Sequence, residues 1–159
     1  MRLLDHSDLA AALALQAEVY PPAIQDGEAA FASRIAAAPD WCWAVEDEGR
    51  LAAYLISHPW SSMRPPAPDT VLDRAEGEIW YIHDLSVAPW ARGQRLGDQL
   101  LTACLGAHPE IRRSELVAVP GAAPFWERRG WTPVSVPAAL AAKVAQYGVG
   151  STYLARDLG

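Results

Sequence analysis

Apolar residues recur at helical spacing near the start of the chain. Leu9, Leu13 and Ala17 fall four apart behind the cap-forming run Asp5-His6-Ser7-Asp8. That pattern predicts a helix over about residues 8–19, stopped by Pro21-Pro22. A second helix is predicted over Glu28–Ala37, ended by Pro39-Asp40. The period then shortens. Trp41–Glu46 reads as a strand, Asp47–Arg50 as a turn and Leu51–Ser57 as the hairpin partner. Residues 59–76 carry four prolines and little periodicity, which predicts a long loop of the kind that is functional or disordered in compact domains. Glu78–Val87 is a strand candidate closed by Pro89. Leu96, Leu100, Leu101, Cys104 and Leu105 mark one face of a helix over about 93–107. A short buried strand, Glu115–Val119, precedes a short helix over 122–129 that stops at Gly130. Trp131–Val136 and Ser151–Arg156 complete the strands, joined by a mobile-looking connection. Strands are contiguous early and alternate with helices later, so residues 1–159 read as one mixed α/β domain without repeats or linkers.

Composition narrows the class. Apolar residues are 51% and charged residues 20% of 159, and mean hydropathy is near zero, which excludes a disordered chain. The net charge of −6 and the scattered cations, twelve Arg and Lys143, argue against a nucleic-acid footprint. No apolar run approaches the roughly 20 residues of a membrane helix, and Met1–Leu9 lacks a signal-peptide pattern. Cys42 and Cys104 have no partner at metal-binding spacing and read as buried thiols. The expectation is a soluble cytoplasmic domain with no metal, nucleic acid or membrane as partner. A homodimer is left open. The seven Trp residues default to core filling.

The informative stretch is Val87–Gly97, where a strand passes through a Gly-containing turn into a helix. A helix N-terminus offers unpaired N–H groups and a positive dipole end, and glycines let phosphates approach the backbone. Alone, this is equally a structural turn. It is neither Walker A nor a dinucleotide fingerprint.

Leu85-Ser-Val-Ala-Pro-Trp-Ala-Arg-Gly-Gln-Arg-Leu-Gly97, continuing through Asp98, resembles motif A of the GNAT superfamily of acyl-CoA-dependent N-acetyltransferases. Phe125-Trp-Glu-Arg-Arg-Gly-Trp131 resembles its motif B. Glu48–Tyr54 with Trp60, Tyr81–Val87 and Ala123–Trp131 look most like the arylalkylamine (serotonin) N-acetyltransferase branch. The resemblance implies a mostly antiparallel sheet, flanked by helices and splayed between strands 78–87 and 115–119. Acetyl-CoA, as co-substrate, would lie in the opening. Its pantetheine would pair with Leu85, Ser86 and Val87. Its pyrophosphate would sit on Arg92, Gly93, Gln94, Arg95, Leu96, Gly97 and Asp98, with Phe125 and Trp126 alongside.

Three departures qualify the resemblance. Arg95 stands where the family has Gly; a helical residue there would not need Gly, and the guanidinium could reach a phosphate or simply face solvent. Trp126 replaces the Tyr that protonates the departing thiolate, and an indole cannot act as an acid. That leaves water, Tyr81, Tyr147 or Tyr153 to serve, or Trp126 as packing against pantetheine. Val119 occupies a position where the family has Asn. The branch also carries two histidines on the strand before motif A, and here Tyr81 takes the first position and His83 the second.

His83 is the expected general base, with Tyr81 beside it. Asp84 would orient an imidazole, bind the acceptor's ammonium, or serve structure alone. Period-2 alternation puts Tyr81, His83 and Leu85 on one face, with Ile82, Asp84 and Ser86 on the other, unless a bulge intervenes. Backbone N–H groups near Leu85–Val87 would hold the oxyanion. His6 and His108 read as capping or surface residues, and His58 as a surface residue opening the Pro-rich loop. Trp60, Trp80 and Tyr20 either line an aromatic acceptor pocket or fill the core. The expected activity is direct transfer of acetyl from acetyl-CoA to a small aromatic or apolar primary amine. Polyamines and protein amines are alternatives, and an acyl-CoA-binding module with little turnover is a reading of another class.

Overall fold

The sheet grows outward from the predicted hairpin. In the computed structural model, which describes all 159 residues, β2 (Trp43–Asp47) and β3 (Arg50–Trp60) pair antiparallel. They are joined through Glu48 and Gly49, both at positive φ (50° and 74°), the twist a tight hairpin needs. β4 (Ile79–Val87) pairs antiparallel with β3. β5 (Arg113–Ala118) then lies parallel to β4, and β7 (Thr152–Asp157) antiparallel to β5. Two-residue edge strands, β1 (Arg2–Leu3) and β6 (Thr132–Pro133), close a seven-stranded sheet of order β1-β2-β3-β4-β5-β7-β6. Edges this short leave little unpaired backbone to recruit another chain.

Helices α1 (Leu9–Val19) and α2 (Glu28–Ala37) cover one face of β3 and β4. There Phe31 meets the edge of Tyr54, with ring centroids 5.5 Å apart. Helix α3 (Leu96–Ala107) covers the other face, and the Cys104 thiol lies 3.7 Å from the Ser57 hydroxyl. Both cysteines are buried and unpaired. Helix α4 (Ala123–Glu127) is tied to β4 through an aromatic cluster of Trp126, Trp131 and Trp80.

Four differences from the sequence reading have local causes. β3 runs on to Trp60, so the long connection begins at residue 61. Gly77 ends that connection at φ +152°, with room for no side chain: a Cβ there would sit 2.0 Å from the Trp60 carbonyl carbon. Helix α3 starts at Leu96 rather than 93, because Gly93 (φ 85°) and Arg95 (φ 59°) are both left-handed. The expected strand at 131–136 shrinks to Thr132–Pro133, since Pro133 and Pro137 cannot donate to a ladder. The supposedly mobile connection contains a further helix, α5 (Ala138–Ala145). Its alanine-rich sequence favours a helix by propensity, and its inward side is narrow: Leu140, Val144 and, just past its end, Tyr147, with Val144 the only buried residue of the helix itself.

Candidate active site

The site is built on an irregularity in β4. Ile56 of β3 faces Asp84, but the next residue, Ser57, faces Ile82, which leaves His83 as an extra residue without a partner. This β-bulge reverses the side-chain alternation. Before it, Tyr81 points to the α1–α2 face and Ile82 to the α3 face. After it, Asp84 and Ser86 join Tyr81 and His83 on the α1–α2 face, while Leu85 packs near Gly97 of α3. The regular alternation expected from sequence is therefore corrected: His83 and Asp84 are side by side.

Beyond the bulge, β4 and β5 part. They pair only at Trp80–Ser114, Tyr81–Glu115 and Ile82–Leu116, although β4 continues to Val87 and β5 to Ala118. A cavity of about 700 Å³ occupies the opening and runs back to α1 and the segment before α2. The Ala88 N–H donates to the Ala52 carbonyl at 2.8 Å. Antiparallel alternation from that bond turns the Leu85 and Val87 backbone away from β3, toward the opening. Both residues line the cavity.

On the acceptor side, Asp84 accepts hydrogen bonds from Tyr54 (2.5 Å), Tyr20 (3.0 Å) and Ser86 (3.0 Å). All three donors are neutral hydroxyls, and Asp84 takes part in none of the chain's ion pairs. Burial raises its pKa in spite of these donors. A buried acid without a cation, on the wall of a cavity, gains its charge most readily when a cation is brought beside it. Ser86 spends its side chain on Asp84, so only its backbone is free for another role.

The His83 side chain is 2% exposed and stands 3.6 Å, Nε2 to Oδ2, from Asp26 in the turn before α2. Asp26 in turn holds Arg34 of α2 at 2.6 Å and accepts the Asp69 N–H at 2.8 Å. Burial alone would raise the Asp26 pKa, but His83 and Arg34 together hold it well below the carboxylate range. The Asp26 carboxylate favours the tautomer with the proton on His83 Nε2. His83 Nδ1 is then the lone-pair nitrogen, and it is buried without a hydrogen-bond partner. Burial, reinforced by the Arg34 charge, lowers the His83 pKa to about 4 in spite of Asp26. The imidazole is therefore neutral at physiological pH.

Toward motif A the backbone does most of the work. Arg92, Phe125 and Trp126 line the cavity, and a Cβ on Gly97 would meet Phe125 at 3.4 Å and Leu85 at 3.5 Å. The expected helical Arg95 is corrected: it caps α3 in the left-handed region (φ 59°, ψ 29°), a conformation that explains a glycine there in relatives. Its side chain is 84% exposed and lies 3.5 Å from Asp98. Asp98 is itself gripped by Arg129 at 2.5 and 3.1 Å, which ties the start of α3 to the end of α4. Leu96 is buried, and the Gln94 carbonyl accepts from the Gln99 side chain.

Trp126 is 7% exposed and packs edge-on against Phe125 and Trp131. Of the tyrosines considered as acids, Tyr81 and Tyr147 line the cavity, whereas Tyr153 donates to buried Glu115 away from it. Tyr20 alone of the three candidate acceptor aromatics reaches the cavity. Trp80 is in the core, and the Trp60 indole donates to the Arg64 carbonyl. His58 is fully buried against Tyr81 rather than on the surface, because β3 runs straight through it. His6 is exposed, as expected, and His108 caps the end of α3, its ring stacked on Trp41 rather than open to solvent. Sequence reasoning missed Asp26, Arg34 and Tyr54. The one available signal was an Asp-Gly step opening α2, which marks a turn and says nothing about His83.

A family model described as Acetyltransferase (GNAT) family matches residues 9–131, and the chain belongs to that family. Serotonin N-acetyltransferase of Mesocricetus auratus is 33% identical over 91 residues, covering 55% of this chain and 44% of that protein. The Homo sapiens protein of the same name is 34% identical over 85 residues, covering 52% and 41%. The matched region thus spans less than half the length of these curated relatives. Among solved structures, the GphF GNAT-like decarboxylase in complex with isobutyryl-CoA superposes with a TM-score of 0.79 at 18% identity, covering 99% of this chain and 98% of that one. The loading GNATL domain of CurA from Lyngbya majuscula gives 0.80 at 15% identity, covering 98% and 96%. At such identities these two support the fold. No group of three or more His, Cys, Asp or Glu side chains is placed to hold a metal ion, and no helix is long and apolar enough to cross a membrane.

Proposed function

We propose that this chain transfers the acetyl group of acetyl-CoA directly to a small primary amine, preferentially an apolar or aromatic one. The observation that carries the reading is the bulge, which puts the His83 imidazole and the Asp84 carboxyl side by side on the cavity wall, beside the parted β4 and β5 strands. Val19, Tyr20 and Ile24 supply apolar surface next to that carboxylate.

Acetyl-CoA lies in the opening, its pantetheine along Leu85–Val87 and its pyrophosphate over residues 92–98. The acceptor's ammonium is drawn to Asp84, and the neutral amine in equilibrium with it attacks the thioester carbonyl. As the carbon–nitrogen bond forms, the nitrogen becomes acidic and its proton passes through water to the His83 imidazole. The Leu85 and Val87 N–H groups face the developing oxyanion. The carbon–sulfur bond then breaks. The leaving thiolate, of reference pKa about 8.5, tolerates solvent as its proton source, so Trp126 is compatible with turnover. Tyr81 walls the base without being required to donate.

The test is release of CoA thiol from acetyl-CoA across phenethylamine, tryptamine, spermidine and short peptides. Fast release with the arylalkylamines supports the reading. Release with polyamines or peptides alone keeps the transferase and replaces the acceptor class. Acetyl-CoA binding without release for any amine favours a binding module, the role that Trp126 would then explain.

A further inference from the structure

The charged side chains that line the cavity are sorted by sign. Asp26 and Asp84 line it on the acceptor side, together with Tyr20 and Ile24. Arg92, in the turn after β4, and Arg128, at the end of α4, line it on the motif A side. Their neighbours Arg95 and Arg129 share Asp98, whereas Arg92 and Arg128 have no acidic partner.

On the acceptor side the charges do not cancel. Asp26 is matched by Arg34, whose guanidinium reaches it at 2.6 and 3.2 Å and also donates to the Thr70 carbonyl at 3.3 Å. The Arg34 side chain is 1% exposed and lies outside the cavity lining, so it has no path to a ligand. Asp84 has only the hydroxyls of Tyr20 from α1, Tyr54 from β3 and Ser86 from β4. The His83 imidazole next to it is neutral. The acceptor side thus holds one acid without a counter-charge and offers no cation to an incoming anion.

An amine arriving as its ammonium supplies the missing counter-charge. An α-amino acid arrives as a zwitterion, with its carboxylate carbon two bonds from the nitrogen. Seated at Asp84, that carboxylate would be buried beside a second carboxyl with no cation in reach, and an unpaired buried ion is costly. Arg92 and Arg128 do not relieve it, because on the transferase reading they face the anionic cofactor. We infer that Asp84 selects acceptors by charge: the chain takes amines that carry no anionic group next to the nitrogen and rejects the corresponding α-amino acids. The inference deepens the proposed function and rests on it for the identity of the acceptor side.

The experiment compares phenethylamine, phenylalanine and phenylalaninol, three compounds with the same aromatic body. Phenylalaninol has a neutral hydroxymethyl group where phenylalanine has its carboxylate, so it controls for bulk. In CoA release, kcat/KM for phenylalanine should fall at least about a hundredfold below that for phenethylamine, with phenylalaninol within about tenfold of the amine. Asp84→Asn should lower the phenethylamine value and shrink the amine-to-acid ratio to about tenfold or less. Calorimetric titration of the same compounds into the CoA-saturated wild type reads the selection without turnover and without a variant that has to fold. There phenethylamine and phenylalaninol should bind and phenylalanine should not.

Phenylalanine accepted as readily as the amine overturns the inference. Phenylalaninol rejected as strongly as the acid also overturns it, since bulk would then be the determinant. So does a folded Asp84→Asn that keeps the full ratio, or a CoA complex that binds none of the three. Absence of CoA release with every amine would instead overturn the transferase reading, and the binding order of the three compounds then decides the inference alone.

Discussion

The two walls of the cavity are built differently. The motif A wall is almost one continuous stretch, residues 85–98, and under the proposed function it would work through backbone: parted strand N–H groups, a left-handed turn and a helix start. The acceptor wall gathers Tyr20, Asp26, Tyr54, His83 and Asp84 from the end of α1, the turn before α2, β3 and β4. It works through side chains that each have a partner on another element. Recognition by backbone would tolerate replacement, so Arg95 can stand where relatives have glycine. A network of buried side chains does not, because removing one member leaves another unsatisfied.

The sharpest test of this contrast is a pair of substitutions. On the acceptor wall, His83→Gln should lower kcat by about 10²–10⁴-fold, the range for a general base, with acetyl-CoA affinity intact. On the other wall, Gly97→Val drives a branched side chain into Phe125 and Leu85, already 3.4 and 3.5 Å from a Cβ there. It should weaken acetyl-CoA binding at least tenfold, as read by calorimetry, and leave amine selectivity alone. A fall in cofactor affinity with His83→Gln would erase the distinction between the walls.

The same contrast explains what the sequence could disclose. The strand, turn and helix of motif A lie in order along the chain, so their chemistry is readable from spacing, and the β4–β5 opening followed from the resemblance. Arg95 was misjudged because its side chain suits a helix, whereas the turn needs a left-handed residue whatever occupies it. On the acceptor wall, His83 and Asp84 were legible as residue types. Their shared face was not, because a bulge is a property of pairing with β3 and leaves no period of its own. Asp26, 57 positions from His83, is joined to it only by the packing of α2 on the sheet. His58 was assigned to the surface because Pro59 argued for a loop. In the fold Pro59 and Trp60 continue the strand, and Gly77 passes against the Trp60 carbonyl.

A smaller effect separates the walls in acid. Burial lowers His83 to about 4 and His58 to about 3 from the ordinary 6.5. Between those values the unfolded chain binds more protons than the folded one. Stability is therefore fully present above pH 6.5 and falls as pH drops toward 4. Urea midpoints taken from pH 7.5 to 4 should fall, and less steeply in His83→Gln and His58→Gln. Substitutions on the motif A wall, such as Arg95→Gly, should leave the slope unchanged. A slope that both histidine variants retain in full would locate the acid sensitivity elsewhere.

The smallest expected effect lies in the turn itself. A left-handed non-glycine residue costs about 1–2 kcal/mol of backbone strain, which Arg95→Gly removes. Glycine returns about 0.5–1 kcal/mol of that by loosening the unfolded chain. The Arg95 guanidinium, 84% exposed at 3.5 Å from Asp98, adds little to the balance, since Asp98 keeps its closer partner Arg129. The net change should be a gain of up to about 1.5 kcal/mol in urea unfolding. Acetyl-CoA affinity decides what the side chain does in addition. Backbone recognition alone predicts an unchanged Kd in Arg95→Gly. A Kd weakened several-fold, and more so at low salt, would mean that Arg95 swings from Asp98 onto a phosphate and that this wall, too, relies on a side chain.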